Sequence, residues 1–582
     1  MTRKLIFILL FLFTACSNSI SQPQATETKL PPTTVTLIPT ATQSLPTNTS
    51  TPQPLPAPVT FGPDEFPAGY NPLSGQRVAD PALLNIPALL ISISHFPPAA
   101  RPQAGLSFSP FVYEYFITEG ATRYLAAFYG EWPEPEIPLH GDCEIRQEPL
   151  PLTNNMIGNL VWYDKNQNGV QDPGEGGVGG ICVNLLDASG KSLQQTTTDS
   201  NGYYGFSVEA GRYLLEFEKP SWLEFTQKNV GDEATDSDVD QAMGRTDVVD
   251  TTSSSSLFWD AGLIGSPNVT PTPNPSADLP TAQVGPVRSG RLLYRHIGNF
   301  YQDSCLIYAS ADPVVLAQIP DCATVPHTTA GGGAMLSLER MKGIQEQISK
   351  KPLRFDYASN LYLDEPPAGG KLANELYEFW AQLNQSKWVY DAASEAWWHY
   401  VDESNPDKVG ILHADTDRLT GRQLKFENLI LLFAEYTVIT PTIVDIDMQV
   451  GQIGKAFLFR NGKVYEIRWS TRAGKYEQTT GLRRPIQFFN LDGTPAALKP
   501  GHTWVTIFNL ESGLEEVSPG SWRARFIAPA GAKASDNLLI NLAKVVISHE
   551  NPFKKPSQGF APQTNDASQN ISVHIPFGYH CL

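Results

Sequence analysis

The sequence predicts an α+β protein that carries a small all-β sandwich near its middle and becomes β-rich toward its end. Three observations predict this. From about Ile157 to Gly265 short alternating apolar segments recur, separated by turns such as Asp199-Ser200-Asn201-Gly202. Met335 to Lys351 holds good helix formers with apolar residues at helical spacing. The run Phe457-Leu458-Phe459-Arg460-Asn461-Gly462-Lys463-Val464-Tyr465 reads as a hairpin, its Asn-Gly pair supplying the positive φ angles of a two-residue turn.

Taken in chain order, Arg3 and Lys4 precede the apolar run Leu5 to Phe13, and Thr14-Ala15 sets small residues before Cys16. This pattern reads as a secretory signal, too short for a permanent membrane span. Because it ends at cysteine it resembles a bacterial lipoprotein signal, although Phe13 stands where that pattern usually carries Leu. The resemblance implies that Cys16 is lipidated and holds the protein at the extracytoplasmic side of the cell membrane. An ordinary signal peptide with an incidental Cys16 is the alternative. The tract from Ser17 to about Pro58 is Thr, Pro, Ser and Gln with almost no aromatics, and reads as a disordered stalk. Ser266 to Asp278 has the same character and reads as a linker.

The 582 residues allow several domains, and 41% apolar content with 11 Trp is compatible with real cores. A net charge of −18 argues against nucleic acid and against electrostatic docking on an anionic membrane, and suits cation binding. With Cys16 assigned to lipid and Cys182 read as a buried apolar residue in a strand, four of the six cysteines remain. Cys305 pairs with Cys322 by proximity and Cys143 with Cys581 by elimination; four unpaired thiols are the alternative.

Folded sequence begins near Tyr70, with strands expected at Ala88 to Ile93, Phe111 to Ile117 and Arg123 to Phe128, the last two punctuated by Gly120. Within the sandwich, strands are expected at Asn159 to Tyr163, Val183 to Leu186, Tyr203 to Val208 and Tyr213 to Phe217. Residues 157–265 hold seventeen acidic against six basic side chains, more than half of the chain's net negative charge. Leu372 to Leu383 fits a helical stripe of Leu376, Phe379, Trp380 and Leu383, but its aromatics also suit a strand.

The strongest constellation is a twelve-residue loop with Asp164, Asn166, Asn168, Asp172 and Glu175 at positions 1, 3, 5, 9 and 12, and Gly169 at 6. That is the spacing of an EF-hand-type calcium loop. Calcium takes six to eight oxygens, so alternate side chains must converge, Gly169 permits the sharp turn, and the Val170 carbonyl adds an oxygen. Strands rather than helices flank it, so its host is a β-domain; a polar hairpin loop is the alternative. Asp232, Asp236, Asp238 and Asp240 form a second acidic cluster, with Asp199 and Asp260 as possible contributors; a solvated acidic loop is the alternative there.

Residues 157–265 resemble the B-type repeat domain of serine-aspartate-repeat surface proteins, relatives of the collagen-adhesin B domains. The motifs are Gly158-Asn159-Leu160-Val161-Trp162 with the acidic loop, Thr198-Asp199-Ser200-Asn201-Gly202-Tyr203-Tyr204-Gly205-Phe206, Asp236-Ser237-Asp238 and Asp260-Ala261-Gly262-Leu263. The resemblance implies a prealbumin- or Ig-like sandwich acting as a calcium-rigidified spacer or binding module. The remainder resembles the YerB-type lipoproteins, of uncharacterised activity. The matching residues are Asn71-Pro72-Leu73-Ser74-Gly75, Ala100-Arg101-Pro102-Gln103-Ala104-Gly105-Leu106, Val112-Tyr113-Glu114-Tyr115, Glu119-Gly120, Thr122-Arg123 and Gly285-Pro286-Val287-Arg288-Ser289-Gly290-Arg291. Trp388-Val389-Tyr390-Asp391, Asp415 and Gly501-His502-Thr503-Trp504 mark a C-terminal part of the same family, and favour strands for 372–383.

The resemblance implies a host split by the sandwich. The divisions are a signal (1–15), a stalk (16–65), the first half of the host (66–132), the insert (155–265), a linker (266–282), the second half (283–383), a β-rich C-terminal domain (384–515) and an extension (516–582). Its charged motif residues Arg101, Glu114, Glu119, Arg123, Arg288 and Arg291 are a candidate site for a carboxylate or phosphate ligand, or a structural ion-pair network. His327 is a candidate base, and no recognisable hydrolase, zinc-protease or phosphate-loop motif is present. The leading expectation is a tethered, non-enzymatic lipoprotein presenting the sandwich to wall polymer or a surface protein. A cell-envelope enzyme using the Arg/Glu cluster is the rival.

Overall fold

A computed structural model describes residues 60–135, 148–151, 155–220, 222–265, 280–320, 322–325 and 334–533. Cys16, Cys143, Cys581, His327, the stalk to residue 59 and most of the Pro-rich linker lie outside the described residues.

The central strand is Leu89–Ser94, buried at every position. Such a strand is covered on both faces, which explains its unbroken apolar run. One edge pairs antiparallel with Ala121–Phe128. The other takes Cys305–Tyr308 in parallel (Cys305 opposite Leu89) and the end of Gln283–Val287 (Val287 opposite Ile93). Strands from before and after the sandwich therefore pair directly. Phe111–Thr118 and Ala121–Phe128 form a hairpin closed by Glu119 at φ 51° and Gly120 at φ 79°, the two positive angles that a tight turn needs.

Phe111–Thr118 also pairs in parallel with Thr503–Asn509, Phe111 opposite Thr503. The C-terminal part, expected as a second domain, thus shares one linked sheet of nineteen strands with the N-terminal part. The expected boundary at 515 falls inside a hairpin of Gly513–Ser518 and Gly520–Arg525, whose second strand pairs in parallel with Lys371–Ala381. Lys371–Ala381 is a strand: Leu376, Glu378 and Trp380 are buried at period two while Phe379 is half-buried, which a helical stripe would not give.

Helices are few. Leu338–Ser349 is capped by the Ser337 hydroxyl, which accepts from the Arg340 N–H at 3.2 Å; the preceding Ala334–Ser337 is a strand, so the expected helix starts later. Leu293–Phe300, not anticipated, buries Leu293, Tyr294, Ile297 and Phe300. The protein is accordingly strand-rich rather than an even α+β mixture. The expected hairpin at 457–465 is present, turning on Asn461 (φ 47°) and Gly462 (φ 66°).

Cys305 and Cys322 are bonded as expected. Cys182 corrects an expectation: it is disulfide-bonded rather than a free apolar residue, and its partner lies outside the described residues. The elimination that paired Cys143 with Cys581 thereby loses its premise. A strand position buries a half-cystine as readily as a small apolar side chain, so local pattern could not separate the two.

Residues 155–265 form a sandwich of two four-stranded sheets. One contains Met156–Tyr163, Tyr203–Ser207, Leu223–Phe225 and Ala261–Gly265; the other contains Cys182–Asp187, Ser192–Thr197, Arg212–Glu218 and Val249–Asp250. Ile157, Val161, Val183, Leu185, Tyr204, Phe206, Leu215 and Phe217 pack between them in a core of their own.

Candidate functional site

The acidic loop leaves the strand Met156–Tyr163 at Asp164, whose N–H donates to the Leu263 carbonyl at 2.8 Å. The Asp164 carboxylate is buried. Its Oδ1 accepts from the N–H groups of Gln167 (2.6 Å) and Asn168 (3.2 Å), and its Oδ2 from the Gly169 N–H (2.9 Å) and the Thr226 hydroxyl (2.6 Å). One carboxylate thus winds the first half of the loop around itself. Gly169 sits at φ 81°, and a Cβ there would stand 3.1 Å from Gln227 and Val230.

The Asn166 and Asn168 amides both reach Asp172 Oδ2, at 2.6 and 2.7 Å. Glu175 braces the ends, accepting from the N–H of Lys165 (2.8 Å) and of Asp172 (3.1 Å). Asn166 and Asn168 thus both donate through Nδ2 to Asp172, their Oδ1 atoms accept from the N–H groups of Asn168 (3.0 Å) and Val170 (2.8 Å), and Glu175 bridges the loop. Burial raises the pKa of Glu175.

The second acidic segment docks on this loop: Val170 bridges to Asp236, and the Gln171 N–H donates to the Thr235 carbonyl at 2.7 Å. Asp238 Oδ2 accepts from the Asp260 N–H at 2.7 Å, and Asp260 Oδ1 accepts from the Leu160 N–H at 2.9 Å. Burial, with the charges of Asp236 and Glu233, pushes Asp238 up to about 7. Burial and Asp238 hold Asp260 well above the usual carboxylate range. Asp236 is 5% exposed and its Oδ1 has no partner. Asp240 does not join them; it caps its own turn, accepting from Ala242 and Met243 at 3.0 and 2.8 Å. Asp199 likewise folds back onto the N–H groups of Asn201 and Tyr203. Among the described residues no three His, Cys, Asp or Glu side chains form a ready metal group. The donors at the loop are a mixture of carboxylate, amide and carbonyl oxygens, the ligand type that hard cations take.

The six charged host residues divide. Arg101 crosses to the Asp402 carbonyl and carboxylate (3.6 Å to the latter) and approaches His95 Nε2 at 2.6 Å. Glu114 is buried, accepts from the Thr122 hydroxyl at 2.8 Å, and has its pKa pushed well above the usual range by burial and by the charge of Glu378. Burial in turn raises Glu378, which accepts from Ser386 and Trp388, each at 3.2 Å. Glu119 pairs with Lys533 at the hairpin turn. Arg123, Arg288 and Arg291 come together: burial first, then the charges of Arg291 and Arg288, push the Arg123 guanidinium down to about 9. The structure thus unites three of the six and disperses the others into separate contacts.

Sequence reasoning missed a buried polar layer beside Glu114. His399 Nδ1 lies 2.9 Å from Asp415 Oδ2, and its ring stacks on Trp388 at 4.0 Å. Asp415 marked the C-terminal resemblance but His399 was not singled out, and only their shared burial joins them.

The fold and these sites define a class: a strand-rich host bearing an Ig-like β-sandwich. Residues 155–263 match the SdrD B-like domain, and residues 377–505 match the C-terminal domain of the protein of unknown function DUF3048. The chain is 42% identical over 78 residues to the fibrinogen-binding protein of Staphylococcus epidermidis, covering 13% of this chain and 7% of that one. It is 46% identical over 84 residues to serine-aspartate repeat-containing protein C of Staphylococcus aureus, covering 14% of this chain and 9% of that one. The chain therefore spans less than a tenth of these relatives' length. Among solved structures, the YerB protein of Bacillus subtilis is similar at 16% identity and a TM-score of 0.38, over 75% of this chain and 96% of that one. The B-type domain read from the sequence is matched over residues 155–263, and the matched segment 377–505 falls where the C-terminal part of the second resemblance was expected.

Proposed function

We propose that the chain is a surface-associated lipoprotein, held to the membrane through Cys16, that presents a calcium-stiffened sandwich to wall polymer or a surface protein without catalysis. The observation that carries this reading is a loop wound on the Asp164 carboxylate and drawn in by the Asn166 and Asn168 amides on Asp172, within a domain matching the SdrD B-like domain. These residues, Glu175 and the Val170 carbonyl would hold the ion, with Asp236 and Asp238 on the adjoining segment. The ion would supply charge that neutralises the crowded carboxylates and cross-links the loop to that segment.

The split host is part of the same proposal. Its support is the pairing of Leu89–Ser94 with both Gln283–Val287 and Cys305–Tyr308, from the far side of the insert. Binding is favoured over acid–base catalysis because Glu114 and Glu119 are engaged away from the three arginines. Among the described residues no helix is long and apolar enough to cross a membrane.

Anchoring is tested by fractionating cells that express the intact gene product. The wild type is expected in the membrane fraction, and Cys16→Ser in the soluble fraction or the medium. Equal membrane retention of the two would overturn lipid attachment at Cys16.

A further inference from the structure

A second set of observations, independent of the insert, lies where Gln283–Val287 runs out and the helix Leu293–Phe300 begins. Arg123 sits on the strand Ala121–Phe128, opposite Tyr115 on one neighbour and Ser94 on the other. It is 3% exposed, its Nε and Nη1 have no partner, and it makes no ion pair among the described residues. A buried guanidinium left this way is costly unless an anion brings acceptors to it.

The segment Arg288-Ser289-Gly290-Arg291 passes close by. The Arg288 N–H donates to the Ser92 carbonyl at 2.9 Å, and Arg291 Nη2 donates to the Ser289 hydroxyl at 3.3 Å, leaving Arg291 Nε buried and unpartnered. A chain of hydroxyls ties the floor to the loop: Tyr115 donates to Tyr294 (2.6 Å), Tyr294 to Ser92 (2.6 Å), and Ser92 to the Ser289 carbonyl (3.3 Å). The helix that follows has no side-chain cap; its Tyr294 and Arg295 N–H groups donate to the Arg291 and Leu292 carbonyls (3.1 Å each), so the terminus adds to the positive field mainly through its dipole. A Cβ on Gly290 would come within 2.5 Å of Ile319, so the backbone is held tightly here. Of the other charged residues, Glu114 projects from the opposite face of the strand that carries Tyr115, Glu119 is paired with Lys533, and Asp445 is engaged by Arg295 and His296 of the helix. Arg288 and Arg291 are half-buried, so the group is reached from solvent.

We infer that Arg123, Arg288, Arg291 and the start of the helix Leu293–Phe300 form a binding site for a phosphate group. The unpartnered Nε and Nη1 of Arg123 and Nε of Arg291 offer three buried donors from two guanidiniums, more than the single charge of a carboxylate balances. A phosphate brings up to two charges and three acceptor oxygens, matching the forked donors. The group is either free phosphate or the phosphate ester of a polyol, the linkage an anionic wall polymer would carry.

The test titrates the intact protein with inorganic phosphate, glycerol phosphate and acetate at matched ionic strength, reading melting temperature and calorimetric affinity. Both phosphates are expected to raise the melting temperature with concentration, and acetate is not. Arg291→Gln is expected to weaken phosphate binding at least ~10-fold, consistent with losing a charge-assisted hydrogen bond. Arg288→Gln is the second variant should the first fail to fold. Tighter binding of glycerol phosphate than of inorganic phosphate supports the polyol ester, and equal affinity supports free phosphate. No phosphate-specific shift in the wild type, or shifts unchanged in both variants, would overturn the inference.

Discussion

Chelating calcium is expected to lower the melting transition of the sandwich by about 10–20 °C. An ion present at 100 times its dissociation constant stabilises by about 2.7 kcal/mol, and a domain of roughly this size shifts by about 4–8 °C per kcal/mol. The physical cause is first the burial of carboxylates and then their crowding, both enforced by the fold. Asp236, Asp238 and Asp260 are each buried, and each has its pKa raised. A carboxyl whose folded pKa exceeds its unfolded value contributes stability below the unfolded pKa and loses it as pH rises through the folded one. For Asp238 that window runs from about 4 up to about 7. In chelator the sandwich is therefore expected to melt higher at pH 5 than at pH 8. With calcium the slope is expected to reverse, because the proposed ion would bind the deprotonated carboxylates. Differential scanning calorimetry of the intact protein in both buffers at both pH values checks each sign.

Replacing Glu114 with Gln flattens the pH dependence of the host's stability while preserving its fold. Glu114 and Glu378 both have raised pKa values, so the folded host prefers them protonated. Each unit by which a folded pKa exceeds the unfolded one corresponds to about 1.4 kcal/mol lost as pH climbs through the interval. Gln keeps the shape and neutral charge and can still accept from the Thr122 hydroxyl. Glu114→Ala, by contrast, leaves that hydroxyl without its acceptor and opens space in the sheet, at a cost of about 2–4 kcal/mol. Denaturant unfolding at pH 5 and pH 8 separates the variants. A wild-type stability unchanged across that range would contradict the protonated reading of the pair.

What could be read from the sequence was local. The loop from Asp164 to Glu175 was legible because its partners lie within twelve positions, so spacing alone encodes the hydrogen bonds. Asn461-Gly462 fixed its hairpin for the same reason. Leu89–Ser94 was legible because a strand covered on both faces leaves an unbroken apolar run. The parallel pairing of Phe111 with Thr503 left no such trace, since nothing near either residue specifies its partner. Alternation correctly set Glu114 opposite its tyrosine neighbours, but could not show that Arg123 shares a face with Tyr115 and gathers Arg291 and Arg288. Asp240 looked equivalent to Asp236 and Asp238 in spacing; only the turn it caps distinguishes it. Cys182 was misread because burial is common to a half-cystine and an apolar residue.

The most direct measurement of the central claim is equilibrium dialysis of the intact protein against radioactive calcium, comparing the wild type with Asp172→Ala. Asp172 is where the Asn166 and Asn168 amides donate, so its loss removes a shared acceptor while leaving Asp164 to wind the loop. Retained calcium in the wild type that falls in the variant is the predicted result. A wild type that retains no calcium above the buffer, or a variant that retains as much as the wild type, would contradict the account.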